Sequence, residues 1–433
     1  MVQGKEVVSL AKAFLQKAAT VFGGNISTVA ATFAIASIIV SVEGLESFGL
    51  YSVLMSLYMV AGAIKPLTWQ AFVKYYPSFN VQLLLAKSVV IDLFGILTSL
   101  LLLFIIILAK PIWQTAIDID IWVLAVIFVT ATINNNGTLL GYLRSERQYF
   151  TVALLQMVVS IFKVALCFFI FFEEARVYSI ELFIMLSCMV DAIIWGGGII
   201  SIVVYKRAYK MWGASLLSKV KGYTKFSYQG TATAMVDLPV SHLDSLIVTA
   251  LLGLEAAGVF ALVKRISKAF GQIADPIYQI IFPEFSKSVA DKNLTSILAI
   301  SRRVSLFVFS ICSVGMVAFI AGFPIFDSLL FASKISEYKW LVISYMLCQV
   351  LAITFIWVHP LVIAFGELAF NFRVTLLANI VYVVALVLLL KFVGFWGVVF
   401  AIFLQYLLSI GVKLKMVLPK IRYEESLSRL SNG

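Results

Sequence analysis

The stretch SVVIDLFGILTSLLLLFIIILA, Ser88 to Ala109, decides the class of fold. It carries one acid, Asp92, and is otherwise almost wholly apolar. As a helix rising 1.5 Å per residue it reaches roughly 33 Å, enough to cross a bilayer. A barrel strand would instead run about ten residues with alternating apolar and polar side chains. No such alternation occurs here. Similar runs recur along the chain, and the bulk composition agrees with them. Of 433 residues, 62% are hydrophobic and 13% charged, with a mean hydropathy of +1.03. Soluble chains average about 25% charged residues. No soluble core can bury this much apolar surface, so lipid must be the solvent. In lipid every backbone polar group is satisfied internally, which leaves a helix bundle.

Spans are expected near 18–40, 48–66, 88–109, 120–141, 151–172, 180–204, 228–251, 256–281, 304–331, 340–363, 373–391 and 395–414. The first is read as uncleaved, because no short apolar core with a small-residue cleavage site precedes it. With the N-terminus placed inside, 24 of the 33 Lys and Arg residues fall in cytoplasmic loops and five in outer ones. This positive-inside bias puts both termini in the cytoplasm. It also accounts for the net charge of +11, so the basic balance is a topology signal and not a nucleic-acid footprint. The four cysteines, Cys167, Cys188, Cys312 and Cys348, lie in apolar runs without CxxC or His spacing. They are expected to be packed thiols, with no disulfide, metal site or cofactor.

Tyr205 to Phe226 is the longest polar stretch, with six cations and no acid. It divides the chain into a six-helix bundle at 1–204, a basic cytoplasmic linker at 205–226 and a second six-helix bundle at 227–433. The halves look related. Gly44-Leu45-Glu46-Ser47-Phe48-Gly49-Leu50-Tyr51 matches Gly253-Leu254-Glu255-Ala256-Ala257-Gly258-Val259-Phe260, each beginning at the outer end of a span. Each copy is followed by two prolines, Pro66 and Pro77 or Pro276 and Pro283. Both copies lie on the same side, so the repeats are parallel, a transporter architecture with the substrate path between halves.

Charges within spans are expensive, and each is a candidate for function. Asp237, His242 and Asp244 fall in the seventh span; Lys264, Arg265, Lys268 and Asp275 fall in the eighth. Folded as a hairpin about Leu254, these spans bring Asp244 level with Lys264 and Arg265. Asp237 comes within about a turn of Lys268 and Asp275. The cations Lys264, Arg265 and Lys268, with Lys163 of the fifth span, suit a pyrophosphate, since Arg grips phosphate bidentately and Lys supplies a point charge. The competing reading is a set of structural ion pairs. Asp237, His242, Asp244 and Asp275 serve either ion coupling, to protons or sodium, or that pairing. Asp92 and Asp191 are read as partners of inside cations, and His359-Pro360 as a satisfied histidine at a kink.

The pattern resembles the polysaccharide transporter branch of the multidrug/oligosaccharidyl-lipid/polysaccharide exporter superfamily, and within it the Wzx-type O-antigen flippases. The residues that carry the likeness are Gly23-Gly24-Asn25, Glu43 to Tyr51, Ala71-Phe72-Val73-Lys74-Tyr75-Tyr76-Pro77, Gly253-Leu254-Glu255 with Gly258, and Phe282-Pro283-Glu284-Phe285. The resemblance implies a MATE-like all-α bundle with a cationic central cavity. It implies a flippase for undecaprenyl-pyrophosphate-linked oligosaccharide in the bacterial inner membrane, working among membrane lipid and polysaccharide assembly partners. An ion-coupled multidrug exporter of the same superfamily is the alternative. A drug pocket for organic cations would be apolar and acidic, and the basic hairpin argues against it. A polytopic glycan-processing enzyme would need larger outer loops, and no nucleotide-binding loop is present. A scramblase without specific substrate is a further possibility, weakened by the repeat and the charge cluster.

Overall fold

A computed structural model describes residues 24, 26–108, 119–134, 137–172, 180–211, 213, 220, 222–271, 277, 281–282, 284–285, 288–289, 291 and 294–431. Among the described residues there is no strand. The helices are α1 (Ile26–Val42), α2 (Leu45–Ala63), α3 (Thr68–Tyr75), α4 (Val81–Leu108), α5 (Ile121–Asn134), α6 (Gly137–Ser145), α7 (Tyr149–Phe172), α8 (Ile180–Tyr205), α9 (Tyr223–Leu238), α10 (Asp244–Leu252), α11 (Leu254–Gly271), α12 (Leu294–Phe331), α13 (Lys339–Thr354), α14 (Val358–Ala364), α15 (Leu368–Val393) and α16 (Gly397–Ser431). Each expected span overlaps a helix; nine described stretches are long and apolar enough to cross a membrane, and α1 and α11, at the first and eighth expected spans, are not among them. The longest of these, Leu368–Ile421, holds α15 and α16, which turn at Gly394–Trp396 and pack along each other.

The helix α4 shows how lipid acts as solvent. Its exposed face is Leu93, Phe94, Leu97, Leu101, Phe104 and Leu108. Its buried face is Ser88, Asp92, Gly95 and Ser99, spaced four, three and four residues apart. Large apolar side chains point outward and small or polar ones inward, the reverse of a soluble amphipathic helix. The same logic packs α6 on α3. Gly137 and Gly141, one turn apart, face Thr68, Trp69 and Phe72, and a Cβ at either would overlap them. Small residues at four-residue spacing let backbones approach closely where apolar burial gives no net drive.

Helix packing divides the chain into two units. One comprises Met1–Val42 and Leu50–Leu238; the other comprises Glu43–Gly49 and Pro239–Gly433. In the first, Phe72, Leu84, Leu85, Leu139, Tyr142 and Tyr223 share a core, where the Tyr223 and Ser88 hydroxyls meet in a short hydrogen bond. In the second, Phe285, Trp357, Leu361, Val417 and Ile421 share another.

Lys65, expected in a cytoplasmic loop, is instead buried. Pro66 breaks the second span after Ala63, and the chain resumes as α3 rather than leaving the bundle. At this break Lys65 Nζ donates to the Thr132 carbonyl at 2.9 Å and lies 3.7 Å from Asp92. Asp92 also accepts from the Thr68 and Thr138 hydroxyls at 3.0 and 2.6 Å. Gly95 makes room for the lysine stem; a Cβ there would strike Lys65 and Pro66. The pairing expected for Asp92 is therefore found, with a cation from the break.

The two copies of the repeated motif have the same backbone. Gly44 and Gly253 both take positive φ, +99° and +89°, a conformation glycine adopts without penalty. Their carbonyls accept the N–H groups of Phe48 and Ala257, the first helical bonds of α2 and α11. Five residues on, Gly49 and Gly258 face each other across the second unit. A Cβ on Gly49 would overlap the Leu254 carbonyl, and one on Gly258 the Leu45 carbonyl. The reciprocity of these contacts is what a local two-fold relation between repeats produces.

Candidate functional site

The seventh and eighth spans form the expected hairpin, turning at Gly253 between α10 and α11. The seventh is not a plain helix. Pro239 has no N–H to donate, and Pro239–Leu243 winds as a π-helical turn between α9 and α10. Such turns leave carbonyls poorly served by the helix's own ladder. Lys264 of α11 fills the gap: its ammonium donates to the Val240 and Ser241 carbonyls at 2.9 and 3.0 Å. It also grips both oxygens of Asp244, at 2.8 and 2.7 Å. Asp244 is fully buried. It accepts further from the Ser245 backbone N–H at 2.8 Å and the Tyr382 hydroxyl at 3.1 Å. Every lone-pair direction of the carboxylate is thus used, which is the condition for tolerating a buried ion pair.

A second pair of the same composition lies in the first unit. Lys163 of α7 meets Asp191 of α8 at 2.5 Å. The Tyr58 hydroxyl donates to the same Asp191 oxygen at 3.3 Å. Lys163 keeps about a fifth of its side chain exposed, whereas Asp191 is buried. Each unit therefore holds a buried Asp–Lys–Tyr set.

The remaining charges are arranged differently. Arg265 is half-buried, its guanidinium carbon 4.8 Å from the centre of the Phe48 ring in the repeated motif. Lys268, one turn beyond Lys264 on α11, is exposed. It lies roughly 21 Å from the Leu254 end of the helix at 1.5 Å per residue. His242 sits half-buried within the π turn, and Asp237 is exposed near the end of α9. Asp275, with Pro276 and Pro283, lies outside the described residues. Among the described residues no three His, Cys, Asp or Glu side chains gather to hold a metal, and all four cysteines are buried and free.

Sequence reasoning missed the two tyrosines and Lys65. Tyr58 and Tyr382 lie in apolar runs where an aromatic draws no notice, and only the packing brings their hydroxyls to a carboxylate. Lys65 carried a usable signal: it precedes a proline at a span end, where freed carbonyls need a donor.

No protein-family model matches the chain, and no curated protein matches it. Solved structures do. A multidrug resistance MATE family transporter of the MOP superfamily, in an inward-facing conformation, aligns with a TM-score of 0.74 at 13% identity, covering 92% of this chain and 96% of its own. The fold is MATE-like. The Vibrio cholerae MATE transporter VcmN in its bent form aligns at 0.57 and 17% identity, over 96% and 98% of the two chains. The lipid II flippase MurJ, in an inward closed conformation, aligns at 0.64 and 12%, over 93% and 87%. At these identities the likeness is one of fold alone. The MATE-like fold thus occurs in solved proteins that include both drug transporters and a lipid flippase, and the all-helical class expected from the sequence is the one found.

Proposed function

We propose that this protein is a flippase that moves an undecaprenyl-pyrophosphate-linked oligosaccharide across the bacterial inner membrane by alternating access, both termini cytoplasmic, driven by a proton or sodium gradient. The observation that carries this reading is the exposed Lys268 in the last turn of α11, inside the eighth expected span. A lysine facing hydrocarbon at the centre of a span costs at least about 2.5–3.5 kcal/mol. A wet wall that meets an anion removes that cost. Lys268 and Arg265 would hold the phosphates, Arg265 through its planar fork and Lys268 as a point charge. Lys264 and Lys163 are balanced by Asp244 and Asp191. They would offer their charge when a proton or sodium ion reaches the carboxylate, which makes each pair a place where ion binding and substrate binding are coupled. Asp237, His242 and Asp275 complete the acidic and titratable side of that exchange. The MurJ likeness supports a lipid-linked substrate. Membrane lipid surrounds the path, and polysaccharide assembly enzymes are the expected partners. No chemistry on the glycan is assigned to the chain.

The second reading is an ion-coupled multidrug exporter. It is favoured by the higher TM-score to the MATE transporter and by exposed Asp237, which would attract an organic cation. Purified protein in vesicles separates the two, with lipid-linked oligosaccharide on one leaflet and its arrival on the other read by a lectin. The flippase reading expects translocation, slowed about tenfold or more by Lys268→Ala, the loss of one charge-assisted hydrogen bond. Ion-driven efflux of an organic cation, with the glycan left where it began, would establish the exporter instead.

A further inference from the structure

The second unit contains a cavity that the charged hairpin does not explain. It has a volume of about 310 Å³ and lies where the α13–α14 kink meets α16. The kink follows from Pro360, which cannot donate to the Ile356 carbonyl. The chain turns at Phe355–Trp357, and Ser305 of α12 braces the turn, donating to the Thr354 carbonyl and accepting from the Trp357 indole. The cavity walls include Phe355, His359, Gln405, Tyr406, Ser409 and Lys413.

One wall residue is incomplete. Gln405 is 8% exposed. Its amide nitrogen donates to Asn379 at 3.0 Å, but its side-chain oxygen is buried without a hydrogen-bond partner. An unmet buried acceptor costs about 1–3 kcal/mol; Gln405 lines the cavity, and a turn of its side chain that uncovers the oxygen would let a ligand's donor meet it. Its neighbours define that ligand. Tyr406 accepts from Gln349 at 2.7 Å, which leaves its hydroxyl proton as a donor. Ser409 can donate or accept. Lys413 Nζ, 3.3 Å from the Thr375 hydroxyl, places positive charge in the wall and disfavours a cationic guest. A bare inorganic anion would meet the Gln405 carbonyl oxygen unfavourably. The rings of Phe355 and Tyr406 supply an apolar wall. The volume is at the lower end of ligand pockets, roughly 300–1,000 Å³, room for one ring rather than an oligosaccharide.

We infer that this cavity is a subsite for a single hydroxyl-bearing sugar ring, with Gln405 accepting from a ring hydroxyl, Tyr406 and Ser409 donating to others, and Phe355 and Tyr406 lining the ring's apolar face. It rests on the flippase reading for the source of the sugar. The test does not depend on transport. Saturation-transfer NMR on the full-length protein in nanodiscs would probe glucose, N-acetylglucosamine and glucuronate separately, with glycerol phosphate as the lipid-headgroup mimic. The inference expects transfer to at least one sugar. That signal should vanish in Ser409→Leu, which fills the cavity, and weaken about tenfold in the near-isosteric Gln405→Met, the loss of one buried hydrogen bond. Both cavity variants must melt as the parent does. Absence of transfer to all three sugars, retention of the signal in Gln405→Met, or displacement of the sugar by glycerol phosphate would overturn it. Sugar binding lost in the cavity variants, without translocation of any lipid-linked glycan, would leave the subsite standing and remove the flippase reading.

Discussion

At the scale of single residues, the ion pair of Asp244 and Lys264 decides how the hairpin behaves. Its carboxylate is wholly buried and its ammonium nearly so. Removing one member leaves an uncompensated charge, at a cost of about 3–5 kcal/mol, whereas replacing both with apolar residues is close to neutral. Lys264→Met alone should therefore lower the melting temperature sharply, and the Asp244→Leu/Lys264→Met double variant should recover most of the loss. Vesicle translocation then separates structure from coupling. The account expects the double variant to be stable and inactive; a stable and active one would make the pair purely structural. Asp244 was legible as a partner of Lys264 from hairpin geometry alone. The rest of the set was not: the Tyr382 hydroxyl arrives from a span more than a hundred residues away, and the Val240 and Ser241 carbonyls are free only because the helix winds as a π turn there.

At the scale of elements, the glycine crossing of α2 and α11 is the most constrained contact in the second unit. Gly49→Ala or Gly258→Ala sets a methyl group against a backbone carbonyl that no rotamer change can move. Overpacking of this kind costs about 1–3 kcal/mol, so each substitution should lower the melting temperature in detergent, and the two together should not add, because they press on one contact. Gly411→Ala, in open space on α16, is the control that should change little. The repeat itself stands in the sequence as eight aligned positions, four of them identical. Its consequence, that the copies touch each other, could not be read there, because periodicity fixes a helix but not its rotation about its own axis. Spans were legible because length and apolarity suffice for them. Breaks were less so: Pro66 was noticed, but the continuation of the helix beyond it to Tyr75, and the burial of Lys65, depend on Asp92 and Thr132 from other helices.

At the scale of the whole molecule, the account rests on charge placed where lipid would forbid it. Basic residues gather in the loops assigned to the cytoplasm; Lys65 is buried at a break and paired with Asp92, and the four within the expected spans likewise need a function or a partner. Lys163 and Lys264 have carboxylate partners, and Arg265 lies on an aromatic ring. Lys268 is exposed, and the central claim is that it faces water and an anionic substrate. The most direct measurement replaces the four native cysteines, introduces Lys268→Cys, and treats intact cells and inside-out vesicles with a membrane-impermeant thiol reagent. The account predicts labelling from at least one side, slowed by lipid-linked oligosaccharide pyrophosphate and not by an organic cation. No labelling from either side, or labelling that the pyrophosphate leaves unchanged, would contradict it.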